Sequence, residues 1–115
     1  MLSKENRLTK NKYFQYIYRK GTKVHSANIT LLYASTKIKP LKVGITVSNK
    51  VGDAVTRNKV KRRIRAIIRN YLKNMSDKYN YVIVVRPSVV NLSFDELKKE
   101  VRYILKKGNL LNETN

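Results

Sequence analysis

Residues 54–73 read AVTRNKVKRRIRAIIRNYLK, and this stretch limits what the rest of the chain can become. Val60, Ile64, Ile67, Ile68, Tyr71 and Leu72 recur at steps of three and four, which is the spacing of a helix with one apolar stripe. At about 100° per residue, Asn58, Arg62, Arg65, Arg69 and Lys73 fall on the opposite face. Lys61 borders that face, and Arg57 sits at the start of the first turn. Thr56 is expected to cap the helix, its hydroxyl accepting a backbone N–H that the helix leaves free. From Arg57 to Lys73 there are eight Lys or Arg and no acid. Like charges four apart on a helix destabilise it by roughly 0.2–0.5 kcal/mol each, and mixed signs would gain as much. A solvated face is the plain explanation for any run of charge. A one-signed, arginine-rich face over a clean apolar stripe points further, to a polyanionic partner and to nucleic acid first.

The whole chain repeats that bias. Its 26 basic and 7 acidic residues give a formal charge of +19, more than solubility needs and enough to strain the compact state by self-repulsion. RNA, DNA or an anionic membrane could offset it. No apolar run approaches the roughly 18 residues of a membrane span, and the polar N-terminus is not expected to be a secretory leader. The chain has no cysteine, so disulfides and thiolate metal sites are excluded and a cytoplasmic protein is expected. The length suits one domain over residues 1–115, with 1–10 and 109–115 expected as mobile tails.

Along the chain, Asn11 is expected to cap a short helix over 12–20, with Phe14, Ile17 and Tyr18 on one face and Tyr13 beside them. Gly21 suits a left-handed helix end. Residues 24–34 read as extended, with Ile29, Leu31 and Tyr33 alternating against Asn28, Thr30 and Leu32. The clearest strand is 42–48: Val43, Ile45 and Val47 face one way, and Gly44, Thr46 and Ser48 the other. That small-residue face is either a solvent face or room for something to approach. Gly52 permits a positive φ before the basic helix. Residues 81–85, YVIVV, are a continuous apolar run of the kind found in central strands. Ser93 to Glu96 has capping-box spacing and starts a last helix with Phe94, Leu97, Val101, Ile104 and Leu105 inward. Gly108 stops it. The strand–helix–strand unit around the basic helix implies parallel strands, for which a right-handed crossover is the general rule.

Groups able to cleave a substrate are few. The acids are Glu5, Asp53, Asp77, Asp95, Glu96, Glu100 and Glu113, mostly in turns, helix starts or tails. A metal nuclease needs carboxylates that converge on its ions. His25, at a strand start, reads as a surface residue. Groups able to bind are plentiful. Lys and Arg contact phosphate and release its counterions, and Arg also stacks and chelates. The chain has eight tyrosines and two phenylalanines, and exposed rings can stack on unpaired bases, although rings at helical spacing more often fill a core.

The twelve residues 54–65 carry a pattern: Ala, two residues, Arg-Asn, basic, aliphatic, basic-Arg, any, aliphatic, basic. This closely resembles the signature of the bacterial ribonuclease P protein subunit. FQYIYRKG (14–21), VGITVS (43–48) and YVIVVRP (81–87) resemble that family's first helix, the strand before its signature helix and its last strand. The resemblance spans about residues 6 to 107. It implies an α+β fold of αβββαβα order, a two-layer sandwich on a central mixed sheet. It also implies an uncommon left-handed βαβ crossover at the basic helix, against the general rule, and more strand within 24–48 than two runs.

The resemblance further implies a protein subunit that works with a catalytic RNA, whose own Mg²⁺ ions cut the 5′ leader from precursor tRNA. The protein itself would bind no metal or cofactor with any certainty, would be inactive alone, and would pair as a monomer with one RNA. Arg57, Asn58, Lys61, Arg62, Arg65 and Arg69 would dock on the catalytic RNA. Phe14, Tyr18, Tyr33, Thr46, Ser48, Lys50 and Arg86 would line a cleft for the single-stranded leader. Two departures stand out: Asn49 replaces a usual basic residue at the cleft edge, and Tyr18 stands where Phe is common. Three other classes compete with this reading. A structural RNA-binding protein shares the charge and size but needs no signature. A helix-turn-helix DNA binder needs a partner helix where this chain has strands. A free-standing metallonuclease would cut RNA with Mg²⁺ and no RNA subunit.

Overall fold

The computed structural model describes residues 2–112. Three helices and four strands follow the order α1 (Asn11–Lys20), β1 (Thr22–His25), β2 (Ile29–Ser35), β3 (Val43–Thr46), α2 (Ala54–Tyr71), β4 (Tyr79–Val85) and α3 (Phe94–Lys107). The strands form one sheet in the order β1-β2-β4-β3. β2 pairs antiparallel with β1 and β4, and β3 pairs parallel with β4. The apolar run therefore lies inside the sheet, and its parallel partner is the strand that feeds the basic helix. The extended region before residue 48 holds three strands where local alternation marks two.

Strand period sorts the side chains onto two faces. Ile29, Leu31, Tyr81, Ile83, Val85 and Val43 turn to one side, where Val60, Ile64, Ile67 and Ile68 of α2 and Leu97, Val101, Ile104 and Leu105 of α3 cover them. This is the main core and the body of the sandwich. On the other face Leu32, Ala34 and Val82 form a smaller cluster with Ile17 of α1 and Leu8, flanked by Phe14, Tyr18 and Val84. α1 covers only part of that face and leaves the rest open.

The helix ends differ from expectation in instructive ways. α2 is capped by Asp53, whose carboxylate accepts the Thr56 N–H at 2.9 Å, so Thr56 is the capped residue and the helix begins two residues earlier. That bond lowers the Asp53 pKa below its ordinary value. The preceding Gly52 does take a positive φ of 155°. α1 begins at Asn11 itself, with Lys10 before it and no side-chain cap. Gly21 ends α1 in extended rather than left-handed conformation, at φ −74°. Its requirement is space, because a Cβ there would lie 2.5 Å from the Ile17 carbonyl oxygen. Ser93 and Glu96 form the expected capping box on α3, but Phe94 is 38% exposed rather than turned into the core.

The ends of the chain are packed where loose tails were expected. Leu2 and Leu8 are buried, Arg7 bridges in parallel to Val43, and Asn6 Nδ2 donates to the Leu41 carbonyl at 2.9 Å. Leu110 is buried, and Leu111 bridges to Met75. Each end thus contributes apolar side chains to the core, which a composition count of mostly polar residues conceals. Residue 1 and residues 113–115 lie outside the described part.

Candidate nucleic-acid interface

α2 buries its apolar stripe and turns its cations outward. Asn58, Arg62 and Arg69 are exposed, while Arg57, Lys61 and Arg65 are half-buried along the flanks. Most of the acids with side-chain bonds are engaged away from this face, and Asp53, at the start of α2, also feels the Arg57 charge. Asp53 caps α2, Glu96 caps α3, and Asp77 pairs with Lys39 at 3.1 Å. Glu100 accepts from the Ser26 hydroxyl at 2.5 Å, and from the Asn28 backbone and side-chain nitrogens at 2.7 Å each. Burial would raise the Glu100 pKa, but these bonds and the Arg86 charge outweigh it and hold it below the ordinary 4.5.

Arg65 faces a like charge. Desolvation first, and then the nearby Arg7, push its pKa below the usual value. Two cations held close in a partly desolvated place form a local positive focus. Arg7 is a member of this surface that sequence reasoning missed. Its signal lay in the basic N-terminal segment, which looked loose because no periodicity marks it. Arg57 adds a second unsatisfied feature: its Nε is enclosed and has no hydrogen-bond partner. An orphaned buried donor destabilises by about 1–3 kcal/mol unless something accepts from it.

The open sheet face makes a cleft beside α1. Register places Gly44, Val82 and Leu32 in one cross-strand row, and Thr46, Val84 and Thr30 in the next. Phe14 and Tyr18 descend from α1 onto this surface, their rings 6.3 Å apart and tilted by 44°. Glycine at 44 makes room for the first ring, since a Cβ there would meet Phe14 Cε1 and Cζ at 2.5 Å. The small-residue face of β3 is therefore a wall built for an aromatic neighbour. The hydroxyls of Tyr18 and Thr46 are hydrogen-bonded at 2.6 Å. Where a phenylalanine could only pack, tyrosine ties the helix to β3.

Arg86 lies at the end of the cleft and is largely spent on structure. It donates from Nη1 to the Ser26 carbonyl at 2.6 Å and from Nη2 to the Thr30 hydroxyl at 3.0 Å. Ser48 and Lys50 are exposed at the turn after β3. Tyr33 is not brought to the cleft. It pairs with Tyr81 in the register and packs edge-on to Tyr79 at 5.0 Å against the main core, on the far side of the sheet. The residue that faces α1 is its neighbour Ala34. A one-residue step along a strand reverses the face, and the alternation that groups Tyr33 with Ile29 and Leu31 holds here against the cleft position the resemblance implies. His25 is exposed, with Nδ1 3.1 Å from the Thr30 hydroxyl. Among the described residues no three of His, Asp and Glu converge as metal ligands would, and none of the helices is long and apolar enough to cross a membrane.

A cation-faced helix on one side of a mixed sheet and an aromatic cleft on the other define a small, basic α+β protein of the RNA-binding class. Comparison with known proteins narrows the class. The Ribonuclease P family profile matches residues 2–109. The ribonuclease P protein component of Bacillus velezensis is 34% identical over 114 residues, covering 98% of this chain and 97% of the relative. That of Streptococcus pneumoniae is 32% identical over 114 residues, covering 99% and 93%. The RNase P protein of Staphylococcus aureus superposes with a TM-score of 0.88 at 29% identity over 95% of this chain and all of that one. The Thermotoga maritima RNase P protein shares the fold, with a TM-score of 0.80 at 24% identity over 88% of this chain and 96% of its own. The chain belongs to the ribonuclease P protein component family. It is thus a subunit of the endoribonuclease holoenzyme that matures the 5′ ends of tRNA, and its partner is the RNase P RNA.

Proposed function

We propose that this protein serves the two RNAs of the reaction through two separate surfaces. The α2 face, with Arg57, Asn58, Lys61, Arg62, Arg65 and Arg69, docks on the catalytic RNA. The cleft of Phe14, Tyr18, Thr46, Ser48 and Lys50, with Arg86 bracing its end, holds the single-stranded leader of precursor tRNA. The observation that carries the first half is the one-signed outer face of α2, whose cations stand opposite the buried stripe of Val60, Ile64, Ile67 and Ile68, with Arg7 adding its charge near Arg65. A phosphate there relieves the repulsion and exchanges released counterions for direct contacts. The second half is supported by two tilted rings over a wall of glycine and threonine, a surface that accepts stacked bases.

The division of labour follows from the side chains. Bond cleavage belongs to the catalytic RNA and its Mg²⁺ ions. The protein adds binding energy along the leader and positions it against the RNA, which converts a loose encounter into an oriented one. It acts in the cytoplasm as a monomer, one to each RNA. The test is cleavage of a 5′-extended tRNA at near-physiological salt, with catalytic RNA alone, protein alone and both. Full activity is expected only with both. Cleavage by the protein alone with Mg²⁺ would instead support a metallonuclease, and RNA binding without stimulation would support a structural RNA-binding protein.

A further inference from the structure

α1 has two flanks, and the cleft uses one. On the other, Tyr13 and Tyr16 line a groove that continues onto the 36–38 segment beyond β2. The groove encloses about 580 Å³, within the roughly 300–1,000 Å³ of sites that enclose small ligands. Tyr13 is 40% exposed, Tyr16 47% and Ile38 64%, so three large apolar groups face water around one depression. Core packing does not require them, because Ile17 is the residue that α1 buries. Lys12, Arg19 and Lys37 also line the groove, and no acid does. Lys12 Nζ stands 5.2 Å from the Tyr13 ring centroid, which places a cation beside a stacking surface.

We propose that this groove is a second subsite for unpaired RNA, and that its occupant is the part of the 5′ leader beyond the nucleotides held in the cleft. The inference rests on the leader reading above. Rings that stack on any base, set among cations that contact phosphate, are the equipment of a single-strand site without sequence preference. The position favours the leader over the catalytic RNA. The groove and the cleft lie on the same face of the sheet, on opposite flanks of one helix about 10 Å wide. The α2 face that meets the catalytic RNA lies behind the sheet. A strand leaving the cleft over α1 reaches Tyr13 and Tyr16 next.

The experiment uses the reconstituted complex and two precursor tRNAs, one with a short leader and one extended by further unpaired nucleotides. With the Tyr13→Ala/Tyr16→Ala protein, affinity for the long-leader substrate is expected to fall roughly tenfold or more. Affinity for the short one should hold, and Phe in place of both tyrosines should restore the long-leader affinity. Lys37→Ala should reduce the salt slope for the long leader by about one. Equal losses on both substrates, or none on either, would overturn the subsite. A loss of affinity for catalytic RNA without substrate would also overturn it, by giving the groove to that RNA. Phe14→Ala runs alongside. If it weakens both substrates while the tyrosine variant weakens neither, the cleft reading survives and the subsite fails. If it weakens neither, both readings fall.

Discussion

The α2 face and the α1 cleft are built in opposite ways. The first is one contiguous helix whose outward cations follow from a single period and need only a core behind them. The second is assembled from α1, β3 and β4, which meet because the sheet order sets β3 beside β4 and α1 crosses above them. The helix face tolerates the loss of one cation and changes by increments. The cleft depends on steric fits, such as Phe14 over Gly44, and on ties such as Tyr18 to Thr46. A local surface is therefore tuned in strength, whereas a composite one is either formed or deformed.

The largest expected effect removes the support that both surfaces share. Ile67 is fully buried in the main core under α2, and Ile67→Ala should lower stability by about 2–5 kcal/mol, read by denaturant unfolding. Both RNA affinities should then fall together. Gly44→Ala separates the two regions. Its Cβ must displace the Phe14 ring, which should destabilise by about 1–3 kcal/mol and weaken leader binding, while binding to catalytic RNA is retained.

A smaller effect concerns the acid that braces the end of the cleft. The bonds to Glu100 hold its folded pKa below its ordinary value, so they stabilise the fold above about pH 4.5 and are lost as pH falls through the folded value. E100Q should lower stability at neutral pH by about 1–2 kcal/mol and flatten the acid limb of the stability curve below pH 4.5. Smallest in stability is Arg65→Gln. It removes one of two repelling cations, so thermal unfolding should be unchanged or slightly later, whereas the salt slope for catalytic RNA should shrink by about one. A large stability loss would mean that Arg65 is a structural residue.

Legibility in the sequence follows the same division. The α2 face could be read directly because period and charge sign lie in one stretch, and only its cap was misplaced. An aspartate one residue before the helix supplies the cap that local pattern gives to a threonine inside its first turn. The strands could be read individually, and the small face of β3 hinted at a wall. The partner that makes it a wall, Phe14, lies 30 residues away in the chain. Tyr33 shows the limit most clearly. The family resemblance implies a cleft position for it, whereas its alternation with Ile29 and Leu31, and the register with β4, put it on the main-core face and turn Ala34 toward α1. Arg7 was hidden for a related reason, because a tertiary bridge to Val43 brings it near Arg65 and no local pattern records that.

The most direct test of two separable surfaces is a double-mutant cycle on the reconstituted complex. Arg62→Ala and Phe14→Ala, alone and together, would be measured for affinity to catalytic RNA and to precursor tRNA. Arg62→Ala should weaken the first and reduce its salt slope by about one, and Phe14→Ala should weaken only the second. Once protein is saturating on the RNA, the two effects on substrate affinity should add within about 0.5 kcal/mol. A coupling well above that, or a loss of catalytic RNA binding from Phe14→Ala, would contradict the account and make the two faces one site.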